Sequence, residues 1–220
     1  MKLKRPISHV IFDLDGVLLD SEPLYTEATN RVVLPYGKVF DWSIKGDIIG
    51  KSPLEGARHL VRSLELPLSP EEYLKLRRPL IEALFPNVTE IRGARRFVET
   101  LCARGVPVAV ATSSERALYQ LKVTRHDWFS LFSVIVCGDD PRIRALKPAP
   151  DVFLITASDL KVRPERCLVF EDSLAGVDAA RAAGMQVIAL PDPAMDRSRY
   201  VDADLVIGGY DELDPADIGV

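Results

Sequence analysis

The sequence predicts an α/β fold: a doubly wound, Rossmann-like parallel sheet with a small all-helical domain inserted into it. Three observations carry this. Short apolar runs at residues 10–12, 106–112, 134–138, 167–170 and 187–190 recur, and from Gly93 onward they alternate with helical patterns. Residues 21–88 change texture, with one helical pattern after another and no good strand between them. Two of the apolar runs end in acids, Asp13-Leu14-Asp15 and Glu171-Asp172. Open sheets bind ligands just beyond the carboxyl ends of their strands.

The chain opens on Val10-Ile11-Phe12, a buried-strand candidate. Strand alternation sends Asp13 and Asp15 to one side and packs Leu14 the other way. Gly16 then permits a turn that a side chain would resist. Ser21 is the expected cap of the first helix, with Pro23 in its first turn, Leu24, Ala28 and Val32 at helical spacing, and a stop at Pro35 and Gly37. Ser52-Pro53-Leu54-Glu55 reads as a capping box ahead of the stripe Leu54, Ala57, Val61 and Leu64. Ser69-Pro70-Glu71-Glu72 repeats the device, and Pro79 predicts a kink or break near Arg78 in that third helix.

Beyond Gly93, Ala94, Phe97, Val98 and Leu101 form a helix stripe that stops at Gly105. Pro107 lies near the start of the next strand, where a missing donor matters least. Helices are expected around 151–160 and 173–183, the second ended by Gly184, and an edge strand at 205–207. Residues 191–220 carry little readable chemistry. The resulting division is a core of residues 1–18 and 89–220 and a helical domain of residues 19–88.

Composition narrows the function classes. A chain of 220 residues can bury roughly 70–75% of its unfolded surface, enough for a core plus an insert. A net charge of −4 argues against nucleic acid or an anionic membrane as the main partner. No apolar run approaches the ~20 residues of a membrane span. The basic start, Lys2, Lys4 and Arg5, fails as a signal peptide because Asp13, Asp15 and Asp20 interrupt the apolar stretch. Cys102, Cys137 and Cys167 stand far apart without metal spacing, which reads as buried thiols in a reducing compartment, the cytoplasm. His9, His59 and His126 are isolated in sequence and read as structural.

Four stretches concentrate the chemistry. An apolar strand ending in Asp13 and Asp15 is costly unless those charges meet a cation or ligand. Thr112-Ser113-Ser114 ends the next strand, where hydroxyls and backbone N–H groups suit a phosphate, although a plain helix cap is the commoner meaning of such a triplet. Lys147 sits in Leu146-Lys147-Pro148-Ala149-Pro150-Asp151, with Asp151 a natural cap for the following helix. Glu171-Asp172-Ser173 closes a further strand and is followed by Gly176 and Ala179-Ala180.

Together and in this order the four stretches resemble the motifs of the haloacid dehalogenase superfamily, in the subgroup with a helical cap inserted after the first motif. Gly50-Lys51, Arg125-His126, Leu131-Phe132-Ser133 and Gly138-Asp139-Asp140-Pro141 resemble its pseudouridine 5′-phosphatase and sugar-phosphate phosphatase branch. The resemblance implies a Mg²⁺-dependent phosphatase acting on a small phosphorylated metabolite through an aspartyl-phosphate. Asp13 would be the nucleophile and Asp15 the acid/base. Thr112, Ser113 and Lys147 would hold the phosphoryl group. Asp13, Asp15 (through its carbonyl) and Asp172 would bind the metal, supported by Gly16 and Glu171. In the cap, Lys51 and Tyr25 would be the substrate-selecting residues, and Lys51 could reach the leaving group. A monomer or weak homo-oligomer is expected.

Three other readings compete. A hydrolytic dehalogenase needs neither Asp15 nor a metal, so Asp15 and the second acid pair count against it. A phosphate-accepting receiver module is shorter and has no helical insert. A β-phosphoglucomutase shares all four motifs; members of that branch carry a cap histidine where this chain has Tyr25, and a cap arginine where it has Pro53.

Overall fold

The computed structural model describes residues 5–48 and 52–219, with Asp47 described by its backbone alone. Lys51 and Gly50 therefore lie outside the described residues. Strands β1 (His9–Phe12), β4 (Val108–Ala111), β5 (Val134–Val136), β6 (Cys167–Glu171), β7 (Gln186–Ala189) and β8 (Leu205–Val206) form one parallel sheet in the order β5-β4-β1-β6-β7-β8. Two further short strands, β2 (Leu19–Asp20) and β3 (Thr89–Glu90), pair antiparallel by themselves. Numbering only the strands of the main sheet, the order is 3-2-1-4-5-6, the doubly wound arrangement. Its direction of winding reverses between β1 and β6, so the crevice beyond those two strands is the place for a ligand.

Alternation along each strand separates two cores. Val10, Phe12, Val108, Val110, Leu168, Phe170 and Ile188 face one layer, with helix α5 (Ala94–Ala103) and the aromatic group Trp128, Phe129 and Phe132. Ile11, Ala109, Ala111, Val169, Val187 and Ala189 face the other, with α7 (Asp151–Asp159) and α8 (Leu174–Ala182). Every strand residue named here is buried. Apolar runs without polar alternation are what a sheet covered on both faces requires.

Between β2 and β3 the chain forms four α-helices among the described residues, not the three expected: α1 (Glu22–Val33), α2 (Trp42–Ile48), α3 (Pro53–Ser63) and α4 (Pro70–Leu84). The helix α2 escapes sequence reading because it is short and contains Gly46; Asp41 Oδ1 serves its start by accepting from Ser43 N at 2.9 Å. Both expected capping boxes form, at Ser52/Glu55 and Ser69/Glu72. The helix α4 runs unbroken through Pro79, a correction to the expected break. These helices share a core of their own, with Val33, Phe40, Leu60 and Tyr73 at its centre. The β2–β3 ribbon marks where the segment leaves and rejoins the sheet. His126 braces it, one ring nitrogen 3.2 Å from Glu90 Oε1 and the other 3.1 Å from Val88 O, while Trp128 Nε1 donates to the same Glu90 oxygen.

Candidate active site

Register brings the motifs together. Phe12 pairs with Phe170 on one side and Val110 on the other, which places Asp13 level with Glu171 and with the end of β4. The backbone N–H of Asp13 donates to Phe170 O at 2.9 Å. Gly16 has φ +75°, and a Cβ there would fall 2.3 Å from Asp172 Oδ2. It therefore serves two needs, a left-handed turn and the close approach of the second acid loop.

Lys147 links the two acidic strand ends. Its Nζ donates to Asp13 Oδ1 at 2.5 Å, to Glu171 Oε1, and to Ala111 O at 3.3 Å. The other Glu171 oxygen accepts from Ser173 N and Ser173 Oγ, both at 3.0 Å. Gly176, on the first turn of α8, stands directly over Glu171. A Cβ at this position would lie 1.9 Å from the Glu171 carboxylate, so the glycine makes room for that group. The tail, unreadable in sequence, supplies two braces: Tyr200 Oη donates to Asp172 O at 2.6 Å and Tyr210 Oη to Val17 O at 3.2 Å.

The electrostatics show a shortage of positive charge at one place. Burial raises the Asp13 carboxyl above its ordinary range; Lys147 pulls it down, and Glu171 and Asp15 push it up again. Asp172 is raised as well, by burial first and then by Glu171, Asp13 and Glu22. Lys147 stays a cation, because the neighbouring carboxylates outweigh its desolvation. Two adjoining carboxylates that resist ionisation side by side suit a cation shared between them. Asp13, Asp172 and the main-chain carbonyl of Asp15 offer an all-oxygen set suited to a hard ion such as Mg²⁺. Among the described residues no group of three His, Cys, Asp or Glu side chains could hold a metal, so this set depends on the carbonyl.

Asp15 has a separate set of partners. Its Oδ1 accepts from Ser21 Oγ and from Lys122 Nζ at 2.6 Å; its Oδ2 accepts from Ser114 Oγ at 2.9 Å and from Lys122 Nζ at 2.7 Å. Burial raises its carboxyl, but the Lys122 charge and these hydrogen bonds prevail and hold it below the usual range. Ser21 is thus not the side-chain cap expected; it stands at the start of α1 but spends its hydroxyl on Asp15. Lys122, on α6 (Arg116–Val123), is a residue that sequence reading missed. Its only sequence signal is a lysine among apolar neighbours on a helix that was itself not foreseen.

The Thr112 hydroxyl is buried and accepts from Ser114 N at 3.0 Å, bending the loop ahead of α6. Ser113 is held close to Gly138, where a Cβ would fall 2.3 Å from Ser113 O. Asp151 is not the helix cap expected. It is the first residue of α7 and accepts from the N–H groups of Arg144 and Ala145, bracing the loop that carries Lys147.

One cavity of about 520 Å³ is lined by Asp13, Asp15, Thr112, Ser113, Lys147, Glu171 and Asp172 together with residues of all four helices of the insert. Tyr25 lines it too, with its hydroxyl 3.2 Å from Lys122 Nζ. Two cations on the helical side were not foreseen. Lys45 is buried and bonded to Glu22 at 3.1 Å and Thr26 Oγ1 at 3.0 Å. Arg77 stands over the Tyr25 and Tyr73 rings and donates to Tyr73 Oη at 3.3 Å, while its buried Nε has no partner among the described residues.

The fold and this assembly of strand-end acids, hydroxyls and lysine define a family, and comparison with known proteins agrees. Residues 7–184 match the model of the haloacid dehalogenase-like hydrolases. The chain belongs to that family, as an enzyme of its phosphatase class. Among its relatives, a Drosophila melanogaster protein described as a probable pseudouridine-5′-phosphatase is 41% identical, over 100% of this chain and 96% of the relative. The (DL)-glycerol-3-phosphatase 2 of Arabidopsis thaliana is 40% identical over 97% of this chain and 92% of its own. Among solved structures, a candidate β-phosphoglucomutase from Thermotoga maritima superposes with a TM-score of 0.74 at 33% identity, covering 91% of this chain and 94% of the other.

Proposed function

We propose that this enzyme hydrolyses a small phosphomonoester through a phosphorylated Asp13, with Mg²⁺ bound by Asp13, Asp172 and the Asp15 carbonyl. The observation that carries the reading is the separation of the two aspartates at the end of β1. Asp13 is paired with Lys147 at the crowded acidic centre, whereas Asp15 is held apart by its own lysine and two hydroxyls. Two identical side chains in different environments suit two roles, nucleophile and acid/base.

Asp13 attacks phosphorus and the ester oxygen departs with a proton that Asp15 must carry in the substrate complex, since in the free enzyme Lys122 and two hydroxyls hold it ionised. Asp15 then removes a proton from the water that opens the acyl phosphate, releasing inorganic phosphate and restoring Asp13. Lys147 balances the charge of the phosphoryl oxygens, with Thr112 and Ser113 at the edge of the same cavity. Bound Mg²⁺ supplies electrostatic stabilisation of those oxygens. Residues 19–88 act as a cap over this centre, limiting water and choosing the leaving group. The cavity lies within the range of small-molecule sites, roughly 300–1,000 Å³. Its hydroxyls, Tyr25, Tyr73 and Arg77 suit a leaving group with several acceptor oxygens, such as a sugar or a nucleoside. Pseudouridine 5′-phosphate is the first substrate to test, with glycerol 3-phosphate beside it. Lys51 remains a candidate contact of the leaving group. The three cysteines are free thiols, compatible with a reducing, cytoplasmic setting.

The test is phosphate release from a panel of sugar and nucleoside monophosphates, with Asp13→Asn as control. The wild type releases phosphate steadily and the variant does not. Substantial turnover by Asp13→Asn would assign the nucleophile elsewhere. Arg77 favours one second reading, a phosphosugar mutase, since a guanidinium in the cavity could hold a distal phosphate. Formation of glucose 6-phosphate from β-glucose 1-phosphate and its bisphosphate, without matching phosphate release, would establish that reading instead.

A further inference from the structure

Lys122 is fully buried and is absent from the lining of the cavity, so it is placed to touch neither phosphate nor leaving group. An ammonium has three protons and no lone pair. Here they are used by the Asp15 carboxylate, by Ser114 Oγ at 2.9 Å and by Tyr25 Oη at 3.2 Å. The same nitrogen lies 4.5 Å from the centroid of the Phe85 ring and 5.2 Å from that of Tyr25. Burying a charged lysine this completely is unfavourable unless its geometry is excellent, and ordinary packing could fill the space without it.

The partners come from two parts of the molecule. Asp15 and Ser114 belong to loops at the strand ends of the sheet, whereas Tyr25 lies on α1 and Phe85 follows α4 of the helical insert. We propose that Lys122 is the positioning residue for the proton-transfer steps: it fixes the Asp15 carboxylate from behind, and Tyr25 and Phe85 complete its seat only when the insert is docked on the sheet. The proposal rests on the acid/base reading of Asp15 above. It gives the insert a second task besides covering the site, since docking also orders the residue that moves the proton. Near-attack geometry is sensitive enough for such a contact to matter, a misplacement of about 1 Å slowing reaction by roughly a hundredfold.

The experiment uses Lys122→Met, which keeps an unbranched stem and removes the charge, with p-nitrophenyl phosphate and Mg²⁺. Nitrophenolate leaves without a proton, so formation of the phosphoenzyme does not need Asp15, whereas water attack on it does. The expected result is a nitrophenolate burst stoichiometric with enzyme, followed by a steady state reduced roughly a hundredfold or more. With glycerol 3-phosphate, whose alkoxide needs the proton, kcat falls and no burst appears. Burst and steady state falling by one common factor would show a merely structural role and overturn the proposal, as would an unchanged steady state. Should Lys122→Met not give a folded protein by circular dichroism, Tyr25→Phe, which removes one acceptor from the ammonium, must still lower the steady state alone. Asp15→Asn serves as the control on the underlying reading. If that variant keeps its steady-state rate, the acid/base assignment itself fails, an outcome distinct from failure of the Lys122 proposal.

Discussion

Replacing Gly176 by alanine adds one methyl group at the start of α8, and the structure says where it goes. It would lie 1.9 Å from both Cδ and Oε1 of Glu171 and 2.2 Å from Oε2. The carboxylate cannot step aside cheaply, because Lys147 holds one oxygen and the Ser173 N–H and hydroxyl hold the other. Helix propensity favours the substitution by about 1 kcal/mol. Overpacking opposes it by about 1–3 kcal/mol, and separating the buried Glu171–Lys147 pair adds about 3–5 kcal/mol. The opposing terms win, leaving a net loss of about 3 kcal/mol or more, or roughly 6–12 °C in Tm for a chain of this size. Calorimetry of Gly176→Ala beside the wild type measures it, and phosphatase activity should fall too as Lys147 loses the partner that aims it. A Tm unchanged or raised, as propensity alone would give, would show that Glu171 is not confined as described.

Two other outcomes are expected, one at the acidic centre and one at the buried thiols. Mg²⁺ should stabilise the fold as well as support turnover, since it would offset the repulsion between Asp13 and Asp172. At a hundred times its dissociation constant the gain is about 2.7 kcal/mol, and chelation should remove both the activity and the thermal shift, Mg²⁺ restoring them; identical melting curves with and without Mg²⁺ would count against the site. Burial pushes the Cys137 thiol up to about 11 and the Cys167 thiol up to about 12, so the reactive thiolate is scarce until the medium is more alkaline than that. In native protein at mildly alkaline pH, mass spectrometry should find both unalkylated while denatured protein reacts at all three cysteines; rapid native labelling of Cys167 would contradict its burial.

What the sequence determined by itself was whatever depends on neighbours along the chain. Apolar runs that cannot face water became β1, β4, β6 and β7, and the Ser-Pro-x-Glu boxes at Ser52 and Ser69 started α3 and α4 because capping is settled within a few residues. Asp13, Asp15, Thr112, Lys147, Glu171 and Asp172 were legible because their four stretches, taken together and in order, resemble the motifs of one family, and they do meet in one cavity. Tertiary structure decided the matters where distant groups compete for the same atoms. Ser21 abandoned its cap for Asp15, Asp151 served the Lys147 loop, and Gly176 yielded its space to Glu171. Pro79 stayed within α4 because the gain from packing a helix face outweighs one lost hydrogen bond. Lys122 is the clearest case. A lysine read alone belongs in water, and only the fold, by bringing Asp15 within 2.6 Å across 107 residues of chain, makes a fully buried ammonium stable.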